Sequence, residues 1–253
     1  LGAIYIAASL AILVVVGLLL LWWLASANVP RGIIPSPAAT ATAAARLWSE
    51  GRLQTALGQS LAVYGTGLLA AIAVGIPLGA LMGAVRIFGR TVDLFVFALA
   101  ATPRVAFIPL IILLLGLGIE AKAVIVFLGA VMPIILNTYA GVLARDADLI
   151  EMARSTGASP VRIALHIVLP GALPFLVVGL RLGATIGLIN TVVAELYTAV
   201  TGLGGLLALY GNTFRMAEYF VIVLALAMIG VIVTEGLRLI EARLSRWQTA
   251  ERP

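Results

Sequence analysis

The sequence predicts an all-α integral membrane protein, on three observations. Of its 253 residues, 62% are hydrophobic and only 11% are charged. Its mean hydropathy is +1.16. Apolar runs of membrane-spanning length recur along it, separated mostly by short polar breaks. A soluble domain runs nearer to about 45–50% apolar and about 25% charged. That difference excludes a soluble enzyme and a disordered regulator. The net charge is +5, but the basic residues are scattered and nearly all arginine, with Lys122 the one lysine. In a membrane chain such an excess reports topology and not a nucleic-acid partner. With no cysteine, disulfides and thiol chemistry are excluded, and His166 as the single histidine argues against a histidine-built metal or triad site.

A spanning helix needs about 20 mainly apolar residues, because lipid offers the backbone no hydrogen bonds. Six stretches qualify: Ile4–Leu24, Ala56–Val85, Val92–Leu115, Ala121–Leu143, Leu173–Tyr197 and Tyr219–Ile240, forming one transmembrane domain over residues 1–253. Ala25-Ser26-Ala27 resembles a signal-peptide cleavage site, but the preceding apolar run of 21 residues exceeds the roughly 7–15 of a cleavable segment. The first span is therefore expected to remain as a helix. One set of loops and the tail carry Arg86, Arg90, Arg145, Arg154, Arg162, Arg238, Arg243, Arg246 and Arg252; the other set carries Arg31, Arg46, Arg52, Lys122 and Arg215. Nine against five places both termini and the Ala144–Ala172 loop in the cytoplasm.

Between the first two spans, Pro30, Pro35 and Pro37 favour extended backbone. Ala38–Trp48 can then form a short helix on the outer surface with Leu47 and Trp48 at the interface, or a plain connecting loop. The long Ala144–Ala172 loop divides by local chemistry. Asp148 can cap a helix carrying Glu151 at its third position, and Gly157 suits the left-handed residue that ends it. Ser159 can cap a second helix with Pro160 at its first position, and Pro170 with Pro174 mark its end. Such a pair of helices is either a docking platform for a partner or an amphipathic elbow lying on the bilayer.

Glu151-x-Ala153-x-x-x-Gly157, nine residues, then Ile167-x-Leu169-Pro170 resembles the EAA loop of ABC importer permeases, with Met152 where the first alanine usually stands. The chain from about Pro35 to Trp247 is similar to the permeases of the nitrate, sulfonate and taurine type. Thr102-Pro103-Arg104, Ile108-Pro109-Leu110, Gly116-Leu-Gly118, Gly179-Leu-Arg181, Ala194-Glu195 and Gly202-Leu-Gly204 carry that likeness. Leu114 departs from it, standing where an aromatic is usual. The resemblance implies the six-helix type I importer fold and a second copy of this chain. It also implies two cytoplasmic ABC ATPase subunits that hold ATP and Mg, and an extracytoplasmic solute-binding protein in a bacterial inner membrane. It makes Glu151, Ala153, Arg154, Gly157, Ala158 and Ser159 the ATPase-coupling residues. Cargo is expected to be a small solute such as a sulfonate, taurine, nitrate or a related heterocycle. The sequence has no G-x-x-x-x-G-K-[ST] phosphate loop, so ATP hydrolysis belongs to a separate chain and no cofactor is expected here.

Charge inside a bilayer marks a functional candidate. Arg181 lies about nine residues, ~13 Å, into the fifth span, and Glu195 follows fourteen residues later on the same face. Either both line a translocation path, or Arg181 snorkels or braces carbonyls while Glu195 is paired or solvated. Asn190 is a candidate for an inter-helix hydrogen bond. Pro103 and Arg104 break the third span, which suits a path or a simple anchored kink. Glycine rows at residues 75, 79, 83 and 179, 183, 187 suit close helix packing, within the subunit or across a dimer. The Gly202–Arg215 loop reads as irregular backbone, where the resemblance implies delivery by a binding protein. A secondary transporter or channel is the rival reading. It calls for acidic or histidine relays in the membrane core and for inverted repeats, and neither is evident.

Overall fold

A computed structural model describes residues 2–29 and 33–244. Arg31, Arg246 and Arg252, which entered the charge count above, lie outside the described residues. The described chain is almost wholly helical: α1 (Gly2–Asn28), α2 (Pro37–Ser49), α3 (Arg52–Ala84), α4 (Arg86–Ala101), α5 (Ile108–Leu115), α6 (Ile119–Leu143), α7 (Ala147–Ser155), α8 (Pro160–Ile163), α9 (Leu169–Thr198), α10 (Gly202–Asn212) and α11 (Met216–Leu244). Arg52–Ala84, Ile119–Leu143, Pro160–Thr198 and Met216–Leu239 are each long and apolar enough to cross a membrane. The α4 and α5 pair is bent by 81° at its break and makes a fifth crossing if the pair is one span, and α1 carries the apolar segment Leu13–Asn28.

The centre of the fold is a three-helix layer with α6 between α3 and α9. Lipid supplies no hydrophobic drive for helices to associate, so close backbone approach and dispersion hold them. The glycine rows provide that approach. A Cβ at Gly75 would stand 2.8 Å from Ile134 Cγ2, at Gly79 2.5 Å from the Ile135 carbonyl, and at Gly83 2.5 Å from Val142 Cβ. Opposite them, Gly179 and Gly183 leave 2.8 Å to Asn137 Cβ and Ile134 Cγ1. Both rows face α6 of the same chain, so intramolecular packing uses them. Partner numbers rise together along α3 and α6 and fall along α9, so α3 and α6 run parallel and α9 runs antiparallel. The α10 end of the bundle therefore gathers the starts of α3, α6 and α11 and the end of α9.

Local expectations fail at four places, each for a physical reason. The segment after Ser36 is a helix, capped by Ser36 and started by Pro37, but Leu47 is fully buried in the core while Trp48 is exposed. An apolar periodicity cannot distinguish a face turned to lipid from one turned to protein. The Gly202–Arg215 segment is helical over Gly202–Asn212, with Leu203 and Tyr210 fully buried. Its glycines serve close packing, and only Gly202 needs a positive φ, of 82°. Asp146, not Asp148, caps α7, accepting from the amides of Asp148 and Leu149. Pro170 and Pro174 do not end a helix. A π turn at Ala164–Val168 joins α8 to α9, absorbing the donor missing at Pro170, so one helical rod runs from Pro160 to Thr198.

Candidate functional site: an elbow at one end and a polar socket at the other

The α7 elbow closes on itself at both joints. The helix ends in a Schellman motif: the Ala158 amide donates to the Ala153 carbonyl at 3.0 Å and the Gly157 amide to the Arg154 carbonyl at 3.0 Å. Gly157 takes the left-handed conformation this turn requires, with φ +79°. Ala153 and Ala158, the two positions that meet across such a motif, are both half-buried. Two residues on, the Ser159 hydroxyl accepts from the Arg162 amide with Pro160 at the first helical position. Of the six predicted coupling residues, Ala153, Gly157, Ala158 and Ser159 thus build the elbow. Glu151 and Arg154 are exposed and engage no side chain among the described residues. Beside them Met152 is 59% exposed and Leu149 is also outward, while Ile150 anchors the helix inward.

The structure brings two of the five path candidates, Arg104 and Asn190, together around Gly129 of α6. After Thr102 the chain breaks at Pro103 and makes a 3-10 turn over Arg104–Phe107. Arg104 Nη1 donates to the carbonyls of Leu128 at 3.0 Å and Gly129 at 2.9 Å. Pro133, four residues beyond Gly129, has no N–H to donate to that carbonyl. The guanidinium thus supplies the hydrogen bond that a proline in the neighbouring helix removed. Gly129 also leaves no space for a Cβ beside Asn190 of α9. Asn190 makes no inter-helix hydrogen bond among the described residues; its Nδ2 donates to the Ile186 carbonyl at 2.9 Å within α9. Arg181 lies nearer the middle of the Pro160–Thr198 rod and is half-buried.

Glu195 is neither solvated nor on an open surface. It is 0% exposed, and its carboxylate accepts from Ser60 Oγ and from the Gly204 amide, each at 2.8 Å. Ser60 Oγ accepts in turn from the Leu203 amide at 2.8 Å, and Gln59 Oε1 accepts from the Gly202 amide at 2.9 Å. Lys122, 2% exposed, donates to Thr201 Oγ1 at 2.6 Å and stands within electrostatic reach of Glu195. Three consecutive orphan amides at the start of α10 therefore find acceptors on α3 and α9, where the helix dipole favours a carboxylate. Sequence reasoning missed Ser60, Gln59, Lys122 and Thr201 because nothing local marks them. The α10 corner is also tied by ions. Glu218 accepts from Arg46 and from Arg215, the latter at 2.6 Å, and Arg215 lies over the Tyr210 ring at 5.0 Å. The hydrogen bond to Glu218 holds the Arg215 guanidinium above its usual pKa. Among the described residues no group of three or more histidine, cysteine or acidic residues could hold a metal ion.

Stacked apolar helices, a capped elbow at one end and a sealed polar socket at the other describe a multi-pass membrane protein. Residues 75–246 match the family described as binding-protein-dependent transport system inner membrane component, and the chain belongs to that family. It is 34% identical over 242 residues to the putative aliphatic sulfonates transport permease protein SsuC of Escherichia coli K12, covering 93% of this chain and 90% of that one. It is 31% identical over 202 residues to the taurine transport system permease protein TauC of the same organism, covering 78% and 74%. Its fold matches a chain of the inward-facing MetNI methionine ABC transporter with a TM-score of 0.64 at 22% identity, over 74% of this chain and 93% of that one. The chain is thus an ABC importer permease component of the inner membrane.

Proposed function

We propose that this permease imports a small organic anion of the sulfonate class, working as two identical copies with two cytoplasmic ATPase subunits and an extracytoplasmic solute-binding protein. The elbow carries this reading. Its backbone is closed by a Schellman motif and a serine cap, its outward Glu151 and Arg154 engage no side chain among the described residues, and it leads directly into the Pro160–Thr198 rod. The α7 end faces the cytoplasm, as the arginine excess favours. Glu151, Met152 and Arg154 seat in the ATPase. ATP and Mg bind on that partner and supply the free energy; this chain binds no cofactor of its own.

Closure of the ATPase pair displaces the elbow. A floppy connection would absorb that displacement, whereas a capped turn transmits it into the Pro160–Thr198 rod, whose length is ~58 Å at about 1.5 Å per residue. Alternating access then follows from tilting α9 with its close-packed partners. Arg104 and Asn190, which meet α6 at Gly129, and Arg181 on the same rod are the path candidates. The names of the sulfonate and taurine relatives support the cargo class. The test is uptake into proteoliposomes containing the permease, its ATPase and its binding protein, with a labelled sulfonate. Uptake is expected to require ATP hydrolysis and to vanish in Gly157→Arg. Uptake that proceeds without ATP, driven by a solute or proton gradient, would overturn the reading in favour of a secondary transporter.

A further inference from the structure

Glu195 is usually the kind of residue assigned to a path, yet its carboxylate is fully buried and held by the Ser60 hydroxyl and the Gly204 amide. The geometry points instead to Glu195, Ser60 and Lys122 as positioning residues that clamp the first turn of α10 to α3, α6 and α9, so that α10 travels with those three helices as one body and does not open as a separate flap. This rests on the reading of the chain as an ATP-driven permease.

Three observations carry it. First, the amides of Gly202, Leu203 and Gly204 are all satisfied by groups from other helices. Thr201, at the N-cap position, makes no side-chain cap of α10, and its hydroxyl accepts from Lys122. Lifting α10 away would strand these amides together with a buried carboxylate and a buried ammonium, in a medium that penalises each. Second, the socket has no slack. Neither Gly202 nor Gly204 leaves space for a Cβ against Glu195, and the Val192 carbonyl closes the Gly204 side at 2.8 Å. Leu203 and Tyr210 seal α10 along its length, both 0% exposed. Third, Glu195 sits near the far end of the rod that begins at Pro160 in the elbow, so motion delivered there reaches the clamp without an intervening loop.

The clamp also borders an outer cavity of about 330 Å³, lined in part by Arg52, Thr55, Gln59, Thr201, Gly202 and Leu206. Gln59 and Gly202 are bonded to each other in its wall. The shape of that mouth is therefore fixed by the socket and shifts only when α3 and α9 shift.

The experiment is hydrogen exchange on the assembled transporter in lipid nanodiscs, nucleotide-free and trapped with ATP. The amides of Gly202–Gly204 are expected to be equally protected in both states. Glu195→Gln is expected to speed their exchange at least tenfold in both. It is also expected to lower solute transported per ATP hydrolysed at least fivefold, at an unchanged amount of assembled complex; a merely structural defect would lower transport and hydrolysis together. Should Glu195→Gln assemble poorly, the charge balance gives a second reading. Lys122→Met leaves the carboxylate alone, and Lys122→Met/Glu195→Gln removes both charges. The pair is expected to recover assembly and protection relative to Lys122→Met. Protection lost in one nucleotide state of the unaltered protein, unchanged exchange in Glu195→Gln, or a pair no better than Lys122→Met would each overturn the clamp. Failure of ATPase docking at the elbow would leave these exchange results standing, so the two readings fail separately.

Discussion

At the α10 end, Glu195, Glu218, Lys122 and Arg215 each find a partner inside the chain. At the α7 end, Glu151 and Arg154 stand exposed with none among the described residues. Both ends are built from polar residues at helix termini, yet one is satisfied internally and the other is left open. In the first, charge holds segments distant in sequence against each other: Ser60 and Glu195 are separated by 135 positions. In the second, the turns are closed by backbone bonds and by the Asp146 and Ser159 caps, while Glu151 and Arg154 engage no side chain among the described residues. The difference separates polar residues satisfied within the chain from those that the proposed function assigns to a partner, and substitutions at the two ends should therefore fail in different ways.

The largest effect on stability is expected at the socket. Glu195→Leu leaves the Lys122 ammonium and the Ser60 hydroxyl uncompensated, which costs on the order of 3–5 kcal/mol for a broken buried charge arrangement. A marked drop in the unfolding midpoint of the purified chain, read by tryptophan fluorescence in detergent, would show it. Gly79→Val comes next: a Cβ there already meets the Ile135 carbonyl at 2.5 Å and Thr138 Cβ at 2.8 Å, so about 1–3 kcal/mol of overpacking is expected. Gly58→Ala, where nothing lies within 4 Å, is the matched control and should leave the midpoint in place.

Arg104→Met removes the donor to the Gly129 carbonyl and should cost ~1–3 kcal/mol. Pro133→Ala restores an N–H for the same carbonyl. The cost of Arg104→Met should therefore be smaller in the Pro133→Ala background, a coupling that a double-mutant cycle measures. Equal costs in both backgrounds would mean the arginine does not replace the proline's missing bond. At the elbow the stability effects shrink. Gly157→Ala forces a Cβ onto a φ of +79° and costs about 1–2 kcal/mol locally. Its larger consequence should appear as weaker ATPase association, by titration of the ATPase onto the immobilised permease.

How far the sequence reveals this arrangement depends on the range of the interactions. The elbow is legible because its chemistry is local: Gly157, Ser159 and Pro160 act within a few residues of themselves. Asp146 and Asp148 are two positions apart and chemically equivalent as caps, so the choice between them rests on backbone geometry that composition does not encode. The glycine rows declare a packed face but not which helix it meets. α10 is hidden because glycine lowers helix propensity, and tertiary burial of Leu203, Leu207 and Tyr210 overrides that preference. The continuity of α9 through Pro170 is hidden likewise, because the π turn that accommodates it has no signature in residue type. The socket is the least legible of all, since Ser60, Lys122, Glu195 and Thr201 meet only after three helices have packed.

The central claim is that the open end of the molecule is open for an ATPase. It is tested most directly by the amount of ATPase subunit retained when the permease is solubilised and captured, compared between the unaltered chain and Glu151→Lys. An exposed charge reversal should move the chain's own stability by no more than about 0.5 kcal/mol. Retention is expected to fall at least tenfold while the unfolding midpoint stays put. Full retention of the ATPase by Glu151→Lys, with ATP-driven uptake intact, would contradict the account.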